Sequence, residues 1–238
     1  MDPAAPPQMT PDRIYWWARQ HALILLIGVT AAWLERSGLL LAAMAGASLL
    51  AAFRIPETAA TNSPSSPWGR LLIFSRILIA LGLIVEPEVD AHLPLIALGV
   101  LTAFQLLEAW CNRNRSSRAI HLALIEQETD ALWLICLIFL VVPLTPLGKG
   151  IIWLALVRPL WVIASHWTGP PSCPMPWGFG TRVMSGIFLL SLSAPLSSAI
   201  PQSLSQALLI AGGLGWVVLH TTWALRAANH RRQSLGGT

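Results

Sequence analysis

The chain has 238 residues, of which 11% are charged and 55% hydrophobic, and its mean hydropathy is +0.62. Ordinary soluble domains carry about 25% charged residues, so a water-soluble globule is excluded; with only three cysteines, so are a disulfide scaffold and a zinc module of paired CxxC knuckles. The net charge of +4 implies no nucleic-acid partner here, because in a membrane protein the position of the charges matters more than their sum.

The composition predicts an all-α, polytopic integral membrane bundle of about eight transmembrane helices, six at the fewest. Taken in chain order, the candidate spans are Ile14 to Leu34, Gly38 to Ile55, Leu71 to Val85, Leu93 to Cys111, Ala119 to Leu144, Ile151 to Trp167, Val183 to Ile200 and Leu204 to Leu225. The second and third are short, and the fifth has a polar first half. No internal repeat is visible. The stretches Pro56 to Trp68 and Gly169 to Gly180 are rich in turn residues and connect helices.

Positive charge sorts these spans into sides. With the N-terminus in the cytoplasm, Arg13, Arg19, Arg54, Arg70, Arg113, Arg115, Arg118, Arg182, Arg226, Arg231 and Arg232 fall inside, and only Arg36 and Lys149 fall outside. The acidic loop with Glu86, Glu88 and Asp90 falls outside as well. This alternation predicts an even number of spans with both termini cytoplasmic, in the inner (plasma) membrane of a bacterium. The proline-containing N-terminal segment has no obvious cleavable signal, so the first span is expected to remain in the mature protein.

Charges within spans are costly and mark functional candidates. They are Arg76, Glu126, Glu128, Asp130 and Arg158, with Glu108 and its uncharged companion Gln105 on the fourth span. Gln105 and Glu108 are three apart, and Glu126 and Asp130 four apart, so each pair shares a helix face. At about 1.5 Å per residue, Arg76 lies roughly 9 Å and Asp130 roughly 16 Å from the inner end of its span. Two carboxylate-bearing helices joined by a basic loop can cradle a divalent metal and a phosphorylated headgroup. A second reading of the same charges is a structural network, in which the carboxylates pair with Arg76 or Arg158 without chemistry.

The run QLLEAWCNRNRSSRAIHLALIEQETD, from Gln105 to Asp130, resembles the signature D-x2-D-G-x2-A-R-x8-G-x3-D-x3-D of the CDP-alcohol phosphatidyltransferase family. Without a gap, Gln105 falls on the first Asp, Glu108 on the second, Ala109 on the Gly, Asn112 on the Ala and Arg113 on the Arg. Leu122 then falls on the second Gly, Glu126 on the third Asp and Asp130 on the fourth. Upstream, Arg76 matches the arginine of the N-x2-T-x2-R helix that often opens the family's core. The resemblance covers Trp68 to the C-terminus and divides the chain into an N-terminal segment 1–66 with two added spans, a family-like membrane domain 67–228 and a basic cytoplasmic tail 229–238.

The resemblance implies transfer of a phosphatidyl or related phospho-alcohol group from a CDP-linked lipid donor to an alcohol acceptor, with release of CMP, in phospholipid biosynthesis. It implies Mg²⁺ or Mn²⁺ held by Glu108, Glu126, Asp130 and the neutral Gln105, with Asp130 also the catalytic base. Arg113 and Arg76 would face the nucleotide phosphates. The departures are physical: Gln105 removes a negative charge, Glu108 and Glu126 each add a methylene, and Ala109 and Leu122 replace glycines that permit close backbone approach. They define the alternative, a catalytically inactive family member acting as a lipid-binding or structural membrane subunit. A small transporter or channel is a third reading, resting on intramembrane charge alone.

Other features have ordinary explanations. His21, His166 and His220 lie on or near spans but show no ligand spacing, and the tryptophans cluster at span ends as an interfacial belt. Cys111, Cys136 and Cys173 show no pairing pattern. Ala43, Gly46, Ala47, Gly212, Gly213 and Gly215 suit close helix packing within the bundle or in a homodimer.

Overall fold

Proline and glycine punctuate this chain, and most of the helices begin or end beside them. The computed structural model describes residues 12–35, 38–54, 67–85, 120–168, 179–197 and 199–236, with isolated residues between 96 and 107. Among them the fold is all-helical, without strands, and has seven helices. These are α1 (Asp12–Glu35), α2 (Leu39–Ala52), α3 (Pro67–Val85), α4 (Ile120–Val141), α5 (Ile152–Thr168), α6 (Phe179–Ser193) and α7 (Gln202–Gly236).

Pro67 occupies the first position of α3, where its missing N–H costs nothing. Pro143 and Pro195 cannot donate to the helical ladder. Accordingly α4 tightens into a 3₁₀ turn at Val142–Leu144, and α6 does the same at Ala194–Leu196. Between α4 and α5 the chain reverses through Gly148, whose φ of +53° lies in the left-handed region that side chains with a Cβ rarely adopt. Its N–H donates to the Thr145 carbonyl at 3.0 Å.

The long-range contacts give the direction of each helix. Trp17 meets Ser48 and Gly28 meets Leu41, so α1 and α2 are antiparallel. Gly38 lies against Ile84 and Gly46 against Leu81, so α2 and α3 are antiparallel too. Arg76 pairs with Asp130 and Ala80 with Cys136, both numbers rising together, so α3 and α4 run parallel. α6 and α7 are again antiparallel, with Ser191 beside Gly212 and Phe188 stacked on Trp216.

α4 is the central helix. From Leu124 to Val141 nearly every residue is buried, with Leu132, Trp133, Ile135 and Ile138 fully enclosed. It packs against α1, α2, α3, α5 and α6. α7 lies at the periphery on α5 and α6. The outward faces are apolar, with Leu23, Ile27, Leu71, Leu78, Leu190 and Leu214 exposed.

Two helical segments of the described residues are long and apolar enough to cross a membrane, Leu124–Leu144 and Gln202–Thr222, each of 21 residues. The expectation of about eight spans is thus met in its all-helical character, while only two helices satisfy length and hydropathy together. α2, at 14 residues, rises only about 21 Å. α1 carries Asp12, Arg13, Arg19 and Glu35, and α3 carries Arg70 and Arg76. The fourth predicted span, Leu93 to Cys111, lies largely outside the described residues.

Gly38, just before α2, lies against the Ile84 backbone near the end of α3. A Cβ there would stand 2.4 Å from the Ile84 carbonyl oxygen. Gly38→Ala is expected to lower unfolding stability by about 1–3 kcal/mol, because backbone cannot rotate aside as a side chain can. A thermal unfolding midpoint in detergent equal to wild type would contradict that approach.

Candidate functional site

The run Glu126, Gln127, Glu128, Thr129 and Asp130 lies on α4, the most enclosed helix of the bundle. Successive residues turn by about 100°, so Glu126 and Asp130 share a face and Glu128 lies on the far side. The neighbouring helices supply a guanidinium to each face. On the first, Arg76 of α3 donates from Nη2 to Asp130 Oδ1. On the second, Arg158 of α5 donates from Nη2 to Glu128 Oε1 at 2.6 Å and to Gln127 Oε1 at 3.3 Å. Thr129 satisfies its hydroxyl locally by donating to the Ile125 carbonyl at 2.8 Å.

Two further contacts hold α3 against α4. Trp133 donates its indole N–H to the Arg76 carbonyl at 2.9 Å, and the Cys136 thiol donates to the Ala80 carbonyl at 3.3 Å. The α3 start at Pro67 explains why Arg76 reaches Asp130. Measured from their first residues, Arg76 and Asp130 lie roughly 14 Å and 15 Å along their helices, the same level in a parallel pair.

The charges differ in access. Arg76 and Glu128 have side chains 1% and 2% exposed, whereas Asp130 keeps 21%. Of the three carboxylates on α4, Asp130 is the one a molecule outside the core can touch. Among the described residues this polar layer holds Glu126, Glu128 and Asp130 of α4 with Arg76 of α3 and Arg158 of α5.

Of the sequence-derived site residues, Asp130 and Arg76 are in direct contact, and Glu126 is buried one turn away on the same face. Gln105, Glu108 and Arg113 lie outside the described residues. Glu126 and Asp130 supply two of the oxygen-bearing side chains that the resemblance assigns to metal. No group of three or more His, Cys, Asp or Glu among the described residues is disposed to hold an ion. The structural pairing expected for these carboxylates is present for both arginines.

Two histidines that spacing gave no ligand role are buried and hydrogen-bonded. His21 of α1 is fully buried, with Nδ1 3.0 Å from Ser48 Oγ and its ring stacked on Trp17 at 5.3 Å between centroids. His220 of α7 is 2% exposed and donates Nδ1–H to the Trp216 carbonyl at 3.0 Å. The signal available in the sequence was depth: His21 stands roughly 14 Å into α1, level with Arg76 and Asp130. Comparison with known protein families, curated proteins and solved structures finds no match.

Proposed function

We propose that the chain is a polytopic membrane protein of the CDP-alcohol phosphatidyltransferase type, transferring a phospho-alcohol group from a CDP-linked lipid donor to an alcohol acceptor and releasing CMP. The observation that carries this reading is the partly exposed Asp130 carboxylate, one turn from Glu126 and fixed in direction by Arg76. A general base must be both positioned and reachable. Glu126 and Asp130, with Gln105 and Glu108, would hold Mg²⁺ or Mn²⁺, which when bound neutralises the diphosphate of the donor. Arg76 orients the Asp130 carboxylate by engaging Oδ1. Arg113 would face the nucleotide phosphates, where a fixed cation bridges oxygens.

The membrane setting is supported by the many leucines and isoleucines, with Trp16, Trp33 and Trp153, that the outer surface exposes, while Arg76, Glu126, Glu128 and Arg158 are enclosed in an otherwise apolar interior, the place a lipid solvent leaves for charge. The parallel run of α3 and α4 supports reading a further span between them; the proposal of both termini in the cytoplasm of a bacterium rests on the distribution of arginines along the sequence. Purified full-length protein given Mg²⁺ or Mn²⁺, CDP-diacylglycerol and a panel of alcohols should release CMP, and chelation should stop it. No turnover and no CDP binding across the panel would remove the enzymatic reading.

One observation favours a second reading, a non-catalytic lipid-binding or structural subunit. Both arginines of the core already engage carboxylates, as a purely structural network would require. In that case a chain carrying Asp130→Asn restores the cellular phenotype of a deletion as well as the wild-type chain does.

A further inference from the structure

Lys149 stands at one end of the bundle, in the turn from α4 to α5. Its side chain is exposed, and Nζ lies 5.5 Å from the centroid of the Trp33 ring near the end of α1. Backbone hydrogen bonds hold the turn: Gly148 donates to the Thr145 carbonyl at 3.0 Å and Gly150 to the Leu147 carbonyl at 3.1 Å. Ile151 and Ile152 are buried and pin it to the core. The 3₁₀ turn Gly148–Ile151 runs straight on into α5, so Trp153 follows Lys149 by about one helical turn. Trp33 and Trp153 are both exposed, as are Leu34 of α1 and Leu144, the last residue of the 3₁₀ turn after α4. This end of the bundle therefore presents an ammonium group and two indole rings above an apolar rim.

Each of these groups selects the same surroundings. Indole rings favour the level of lipid headgroups, where the apolar body meets hydrocarbon and the N–H meets water. A ring face under an ammonium group holds it in place and leaves N–H donors for an anion. Among the described residues Lys149 has the Trp33 ring as its neighbour and forms no ion pair. In the sequence the acidic run Glu86, Glu88 and Asp90 continues from α3, which packs chiefly on α2 and α4, whereas Lys149 stands on the seam of α1 and α5. The anion that fits is a headgroup phosphate, which accepts charge-assisted hydrogen bonds from a lysine. A zwitterionic headgroup brings a second cation, and the Trp33 face that could take it is already occupied by Lys149.

We propose that Lys149, Trp33 and Trp153 form a headgroup site at the membrane surface that binds the phosphate of an anionic phospholipid of the phosphatidylglycerol class. The inference rests on the membrane setting proposed above and not on the transferase chemistry, since it uses none of the charges of α4.

The test reconstitutes the full chain in vesicles of phosphatidylcholine with phosphatidylglycerol and measures, by mass spectrometry, the phospholipid that stays with the protein after transfer to detergent. Phosphatidylglycerol should be enriched over its share of the vesicle. Lys149→Gln should cut the enrichment about fivefold, the contribution of one basic side chain at an anionic surface, and Lys149→Arg should keep it. Trp33→Leu should cut it about two- to fivefold, through loss of the ring that holds the ammonium. A photoreactive phosphatidylglycerol should crosslink to residues 142–153. Enrichment unchanged by Lys149→Gln would overturn the proposal and assign the lipid to other basic groups of the chain; equal retention of the two lipids would overturn it as well. Alkaline carbonate washing of the wild-type vesicles reads the membrane setting separately. A chain that stays in the bilayer without preferring phosphatidylglycerol loses this site alone, whereas a chain that washes off loses the membrane reading with it.

Discussion

Asp130→Asn is expected to cut CMP release by about 10²–10⁴-fold, the usual contribution of a positioned general base. The substitution keeps an oxygen for the Arg76 N–H and removes the negative charge and with it the ability to take a proton. It also leaves Arg76, 1% exposed, facing a neutral amide. Because Asp130 is partly open to its surroundings, the loss of stability belongs near the low end for charged hydrogen bonds, about 1–3 kcal/mol. The same purified sample should therefore be followed by turnover and by thermal unfolding. Lost turnover in a folded protein supports Asp130 as base; unchanged turnover excludes that role.

Breaking the Arg158–Glu128 pair should have the largest effect on stability. Both partners are buried, at 9% and 2% exposure, and they meet at 2.6 Å. Glu128→Leu alone leaves a guanidinium stranded in the core and is expected to cost about 3–5 kcal/mol. The double variant Glu128→Leu with Arg158→Met should recover most of that loss, since apolar side chains of similar volume replace buried pairs at little cost. A double-mutant cycle by reversible unfolding in mixed micelles measures the coupling. A double variant as unstable as the single one would show that Arg158 supports the bundle through some contact other than Glu128.

The two predictions separate the two faces of α4. The Asp130 face bears on the proposed chemistry, and the Glu128 face bears on assembly. Residue spacing had already put Glu126 and Asp130 on one face, because helical geometry alone decides that. It had also named Arg76 and Arg158 as the cations available to buried carboxylates. It could not say which arginine meets which acid, since that depends on the order in which helices surround α4.

Helix limits were legible wherever proline or a charge interrupts an apolar run. α1, α4 and α5 begin and end within three residues of the expected spans Ile14 to Leu34, Ala119 to Leu144 and Ile151 to Trp167, since Pro143 must break the helical ladder. α3 begins at Pro67, four residues before the expected Leu71, because hydropathy sees the apolar run and not the proline that nucleates its first turn. α7 continues to Gly236, well past Leu225, since a helix persists beyond the segment that hydropathy detects.

The sequence by itself determined the all-helical class, the positions of most helices and the small set of intramembrane charges. Backbone hydrogen bonding and hydropathy are local, and local composition specifies them. Only the tertiary structure decided that α3 and α4 run parallel and that Arg76 serves Asp130 while Arg158 serves Glu128. Those are contacts between residues 30 to 57 positions apart on neighbouring helices, and no periodicity along one helix encodes its neighbour's rotation or depth.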